Sequence, residues 1–235
     1  MNKSIIWHLA AGWMGVMGWV STGQAMLADE PGTAPQITVY VFNWAEVELG
    51  TLQEAKNVAT RVFRNGGLDA TLLDPPSPAD EGEGQTAEEV TSTTFIVHVV
   101  PPAMAKRFGL PASMLGVAPG TAKEKNRTTV YVFDQVAANM AREHREQVQA
   151  RVNGAGSHPV EKGQVLGHAI AHEIGHVLLH QDSHSRMGLM RAGWDRNDLQ
   201  NIVSIKLLFM PEEAERVRAE VRRRSSADIG RNPGL

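Results

Sequence analysis

Gly167-His168-Ala169-Ile170-Ala171-His172-Glu173-Ile174-Gly175-His176-Val177-Leu178-Leu179 is the stretch from which the rest of the chain can be read. It contains His172-Glu173-Ile174-Gly175-His176, an H-E-x-x-H pattern. On a helix, residues at i and i+4 lie about 40° apart around the axis. The imidazoles of His172 and His176 therefore share a face and can reach one metal ion. Glu173 is offset from both, so its carboxylate can reach a water beside that ion without joining the ligand set. Helical periodicity sets Leu166, Ile170, Ile174, Val177 and Leu178 on one arc, and His168, His172 and His176 on a roughly opposite one. This pattern predicts one face against a core and the other in a cleft.

A catalytic zinc takes three protein ligands and leaves a fourth position open, so a third donor is expected close behind the helix. The run continues His180-Gln181-Asp182-Ser183-His184-Ser185-Arg186-Met187-Gly188-Leu189-Met190. Here the chain resembles the metzincin metallopeptidases, whose signature H-E-x-x-H-x-x-G-x-x-H precedes a Met-containing turn. The Gly position of that signature holds Leu179 and the third-ligand position holds Asp182, while His184 comes two residues later. His184-Ser185 followed by Gly188-Leu189-Met190 is similar to the His-Ser and Met-turn of matrixin-type enzymes. The chain also resembles a group of small secreted bacterial metallopeptidases over nearly its whole length. The likeness rests on an early Val-Tyr-Val strand, Pro101-Pro102-Ala103-Met104-Ala105 through Leu115-Gly116, His172 to Leu179, His184 to Met190, and Trp194.

That resemblance implies an α+β fold, a zincin-like (metzincin-like) single domain. Its parts would be a mixed twisted sheet, a long packing helix, the H-E-x-x-H helix and a small, mostly helical C-terminal subdomain. The domain would span 36–235, with an upper part over about 36–180, a lower part over about 181–224 and a flexible tail at 225–235. The resemblance makes His184 the third ligand and Met190 the Met-turn residue. Asp182 stays open as the alternative ligand, because it has the metzincin spacing but lacks the Gly that would let the chain turn sharply before it.

Working outward, Gln36 to Asn43 alternates and is rich in β-branched and aromatic residues, which predicts a strand. Trp44 to Arg64 carries Leu52, Ala55, Val58, Ala59, Val62 and Phe63 at helical spacing, and Asn65-Gly66-Gly67 stops it. Leu68 to Leu73 reads as a second strand, so strand, helix and strand predict parallel pairing. Asp74 to Glu89 reads as a loop. Thr93 to Val100 and Thr128 to Phe133 read as further strands, with a helical turn over Pro101 to Phe108 and a charged turn over Gly120 to Arg127. By the resemblance, Leu115, Gly116, Val117 and Ala118 form a short edge strand that binds substrate beside the cleft. Asp134 to Val152 reads as an amphipathic helix with a solvated His144. Pro159 suits the first position of the metal-site helix and Glu161 its first turn. Asp195 can cap a helix through Ile205. A last helix begins at Phe209-Met210-Pro211 with Ala214, Val217 and Val221 inward, and Arg222-Arg223-Arg224 ends it in solvent.

His residues recur at 168, 172, 176, 180 and 184. Only His172 and His176 share a face with a Glu placed between them. His168 reads as a supporting residue, His180 as exposed near the helix end, and His98 as a packed strand residue.

Residues 1–25 read as a signal peptide. Lys3 lies in a positive amino-terminal region, Ile5 to Val20 is an apolar run, and Gly23-Gln24-Ala25 is a cleavage site, with Ala28 a second option. A run of about 16 apolar residues is short for a membrane span. The expected location is secreted or periplasmic, with no membrane attachment after signal removal. The net charge of −3 over 235 residues gives no global field for nucleic acid. The absence of Cys excludes disulfides, thiolate zinc sites and a thiol nucleophile.

The resulting expectation is a secreted zinc-dependent endopeptidase, monomeric, holding one catalytic Zn2+ and acting on a peptide or protein substrate. A metal-activated water attacks the peptide bond with Glu173 as general base. Two alternatives stand beside it. One is an exported zinc-binding protein that recognises a partner without proteolysis. The other is a zinc amidase acting on non-peptide or cell-wall amides.

Overall fold

Alternation of branched apolar residues with polar ones produces the central sheet. β1 (Gln36–Asn43) buries Ile37, Val39 and Val41 and leaves the residues between them partly exposed, the two-residue period of a strand with one face on a core. β2 (Asp69–Leu73), β3 (Thr94–Val100), β4 (Gly116–Val117) and β5 (Thr129–Phe133) complete a five-stranded sheet in the order β2-β1-β3-β5-β4. The β1–β2, β1–β3 and β3–β5 pairs are parallel, and β4 runs antiparallel to β5 with Gly116 opposite Val132. The structure is a computed structural model and describes residues 33–76, 91–107, 109, 113–119, 128–150, 158–180 and 184–231. From Ala34 on, the described residues form one compact unit. The signal-peptide reading, the turn at 120–127 and most of the loop at 74–89 lie outside them.

The strand–helix–strand order near the start holds, although the helix begins at Leu49 and not at Trp44. α1 (Leu49–Asn65) joins β1 to its parallel neighbour β2 and buries Leu52, Ala55, Val58, Ala59, Val62 and Phe63. α2 (Pro102–Arg107), α3 (Asp134–Gln149), α4 (Lys162–Leu179), α5 (Arg196–Val203) and α6 (Pro211–Arg231) follow. The inward strand residues Val39, Val97 and Val132 join α1 and α4 in one large apolar cluster. Val100 and Phe133 meet Ala105 of α2 in a smaller one.

α4 departs from the single apolar arc expected of it. Every residue from Gly163 to Leu179 except Gln164 is buried, because α1, α3, α5 and α6 all pack against the helix, while the face with His172, Glu173 and His176 still borders a cleft. Gly167 makes the α1 contact possible. A Cβ there would sit 2.6 Å from the backbone oxygen of Ala55 and 2.7 Å from Val58 Cβ, so the two helices could approach this closely only with a hydrogen in that position. Gly167→Ala is expected to destabilise the fold by about 1–3 kcal/mol, the range for overpacking a core. Gly50→Ala, where nothing lies within 4 Å of the added carbon, should instead be neutral or stabilising. Urea unfolding of the two variants checks the contrast, and equal effects would refute the close-approach argument.

Four readings are corrected. Glu161 is the N-cap of α4 in a capping box with Gln164, so the helix starts at Lys162 and Pro159 lies outside it. α5 stops at Val203 rather than Ile205, which sits in the left-handed region at φ 52°. His144 is fully buried, and its Nδ1 accepts a hydrogen bond from the Val160 N–H at 3.0 Å. It lies on the same face as Ala137 and Ala141. The last helix does not end at Arg222-Arg223-Arg224 but runs to Arg231, so residues 225–231 are helical. Arg224 falls on the face of Val217 and Val221 and is buried rather than solvated.

Candidate metal centre

α4 carries His172 and His176 on one face, and the chain brings back His184 beside them. His176 Nε2 lies 3.1 Å from His172 Nε2 and 3.3 Å from His184 Nε2. The donor atoms of all three lie within 4.8 Å of one another, a cluster that could hold a metal ion. His172 and His176 are each 7% exposed, whereas His184 is open to solvent. Asp182 lies outside the described residues.

Tautomers sharpen the picture. His172 Nδ1 is 2.7 Å from the Leu189 carbonyl oxygen, which can only accept, so Nδ1 carries the hydrogen. Nε2 then points a lone pair into the cluster. Burial, then the neighbouring His176, holds the His172 imidazole down at about 3, so it is neutral near pH 7. Nitrogens gathered this closely need a proton or a cation among them. Two nitrogens each about 2.0–2.1 Å from one tetrahedral zinc stand about 3.3 Å apart, close to the two spacings that His176 makes, 3.1 and 3.3 Å. The donor set therefore fits a zinc ion.

Glu173, the next residue on α4, is 5% exposed. Burial pushes its carboxyl up to about 8; a cation nearby favours the charged form. Gly116 of β4 lies directly over it. A Cβ on Gly116 would stand 2.6 Å from Glu173 Cγ and Oε1. The edge strand expected at Leu115–Ala118 is present as Gly116–Val117, with Leu115 and Ala118 flanking it. It ends the sheet and borders a cleft of about 870 Å³ whose floor includes His172, Glu173, His176 and His184.

Behind the cluster, the chain folds into a tight turn. Gly188 adopts φ 76°, Leu189 N–H bonds to Leu208 O at 2.8 Å, and Ser185 N–H bonds to Met190 O at 2.8 Å. Met190 is fully buried. Its Sδ would lie 2.6 Å from a Cβ on Gly175, so this sulfur occupies the space a side chain on α4 would need. Leu179, which stands where the resembled signature has Gly, is still helical and is the last residue of α4. The chain leaves α4 through the next residue, His180, at φ 50° and ψ 41°.

A structural neighbour is a zinc-dependent peptidase. That protein, from Methanocorpusculum labreanum (strain Z), has a TM-score of 0.44 and 12% identity to this chain, and the match covers 76% of this chain and 99% of that one. No family model and no curated protein matches the sequence. The likeness is faint, and the reading of the site stands on its geometry.

The other histidines stay apart. His168 is buried, its Nδ1 bonded to Gln164 O at 2.8 Å, and burial brings it down to about 4. His180 Nε2 lies 2.8 Å from a Glu220 oxygen. His98 accepts from Trp44 Nε1 at 2.9 Å and stacks on Tyr131.

Two contributors were not assigned roles from sequence. Trp194 donates from Nε1 to the same Leu189 oxygen at 3.3 Å and stands edge-on to both His168 and His172. α3 turns Val136, Asn139, Met140 and Glu143 into the cleft. Their i, i+3, i+4, i+7 spacing was readable, but nothing in it distinguishes a cleft wall from a solvated face.

Proposed function

We propose that the protein is a zinc-dependent endopeptidase, carried by one observation: three imidazole nitrogens converge beside a buried carboxylate in an open cleft. His172, His176 and His184 would hold the zinc, with Met190 as the residue of the turn beneath them. The ion supplies Lewis acidity, making a water more acidic and polarising a carbonyl.

The remaining steps belong to the chain. The Leu189 carbonyl keeps the hydrogen of His172 on Nδ1 and its lone pair on Nε2. The Glu173 carboxylate takes the proton from the attacking water and returns it to the departing amine. Pressed against Gly116, it has little room to turn away. Leu115, Gly116, Val117 and Ala118 offer an extended peptide a strand to pair with, and Val136 and Met140 give the cleft apolar wall.

The chain is proposed to be a single zincin-like domain that acts as a monomer on a peptide or protein substrate. Residues 1–25 are proposed as an export signal, placing the enzyme in the periplasm or outside the cell. No helix among the described residues is long and apolar enough to cross a membrane.

The test is digestion of a diverse peptide mixture by the zinc-loaded protein, with a chelator-treated sample beside it. Internal bonds should be cut only in the loaded sample. His184→Ala should weaken zinc binding by more than about 100-fold, beyond the effect of outer partners. Stoichiometric zinc with no peptide cut would overturn the peptidase reading.

A further inference from the structure

His184 differs from the other two histidines of the cluster. It is exposed and lies beyond the helix, so α4 does not hold it. The residue that follows it is Ser185. Ser185 is fixed at two points: its N–H bonds to Met190 O at 2.8 Å, and its hydroxyl donates to Glu213 Oε1. Glu213 lies in the first turn of α6 and is itself buried. Its other oxygen, Oε2, accepts from the Met210 N–H at 2.9 Å, at the foot of that helix, half of a capping box. The Met210 side chain in turn lies against Gly188, where a Cβ would be 3.0 Å from its sulfur.

We propose that Glu213 is a positioning residue for the metal centre, acting through Ser185 to hold His184 in register with His172 and His176. This rests on the reading of the cluster as a zinc site. A carboxylate serves here because both of its oxygens are used. One accepts from a hydroxyl and the other from a backbone amide, and each contact fixes the direction of the other. An exposed ligand on a non-helical segment would otherwise lose conformational freedom on binding the ion, and that loss would lower affinity. The link also joins zinc affinity to the docking of α6, an element that contributes none of the three histidines.

The experiment measures zinc affinity by chelator competition, and the unfolding midpoint of the metal-free protein, for wild type, Glu213→Ala, Glu213→Gln, Ser185→Ala and the Ser185→Ala/Glu213→Ala pair. Glu213→Ala and Ser185→Ala should each weaken zinc binding about 10–100-fold, as removal of an outer-shell partner does. Glu213→Gln keeps one acceptor oxygen but sets an NH2 donor against its other contact, so it should fall between Ala and wild type. The double variant should bind no more weakly than the worse single variant, because both break one link.

Unchanged affinity in folded Ser185→Ala and Glu213→Ala proteins would overturn the proposal, even if their metal-free midpoints fall, since that pattern describes a structural cap alone. Additive losses in the pair would also overturn it. A wild type that binds zinc tightly but cuts no peptide would remove the peptidase reading and leave these affinity comparisons decisive. A wild type without zinc affinity would end both.

Discussion

Glu173→Gln should lower peptide cleavage by about 10²–10⁴-fold, the usual contribution of a positioned general base, while leaving bound zinc at the wild-type level. The amide matches the carboxylate in shape, so it still fits the narrow space under Gly116. It cannot accept the proton of the attacking water. The three donor nitrogens are separate from this carboxyl, so metal content should not follow activity. Steady-state rates and zinc analysis on the same preparation check both halves. A Gln variant within tenfold of wild type would remove Glu173 from the role of base. Loss of zinc together with activity would show that the carboxyl supports the metal rather than the water.

Glu220→Gln should destabilise the fold by about 2–3 kcal/mol near pH 7, below the full range for a buried ion pair because Arg224 is buried but Arg223 and His180 are open to solvent. Glu220 is 9% exposed. It accepts from Arg224 Nε at 2.8 Å, from Arg223 Nε at 2.7 Å, and lies 2.8 Å from His180 Nε2. Arg224 is 1% exposed, donates also to Ser92 O at 3.1 Å and lies over the Phe95 ring. With Glu220 neutralised, this guanidinium keeps its burial and loses its counter-charge. Burial alone would raise the Glu220 carboxyl. Hydrogen bonds from Arg223, Arg224 and His180 outweigh it and hold the group at about 2. A carboxyl lowered on folding adds stability above its unfolded value and loses that stability as pH falls toward the folded one. From 4.5 to about 2 the contribution is at most about 3 kcal/mol, reduced by solvent screening at the exposed Arg223 and His180. The gap between wild type and Glu220→Gln should therefore be full at pH 7, shrink below about pH 4.5 and nearly vanish by about pH 2. Urea unfolding across that range reads it out. A gap below 1 kcal/mol at pH 7, or one that ignores pH, would refute the account.

The two sites connect through the ends of helices. Glu220 and Glu213 lie on α6, one meeting His180 at the end of α4 and the other meeting Ser185 beside His184. α6 thus contacts the chain on both sides of the segment between His180 and His184.

Local pattern was enough for much of this. Periodicity located β1, α1 and β2 and their parallel order, and the i, i+4 spacing put His172 and His176 on one face with Glu173 between them. The cap at Asp195 was also legible. These features depend on neighbours within a few residues, where backbone geometry leaves few choices. His144 and Arg224 were misread for the opposite reason. A polar residue on an amphipathic helix looks solvated until the element that covers it is known. Here Val160 covers His144, and Ser92 with Phe95 covers Arg224.

By itself, then, the sequence determined the strand–helix–strand start, the helix bearing two histidines and a glutamate, and the turn-forming run that follows. Only the tertiary structure decided that His184 comes within 3.3 Å of His176, that Gly116 presses on Glu173, and that Glu213 holds Ser185. Each of these joins residues whose separation is set by the path of the chain through space. That path is fixed by the packing of whole elements, and the spacing along the sequence does not record it.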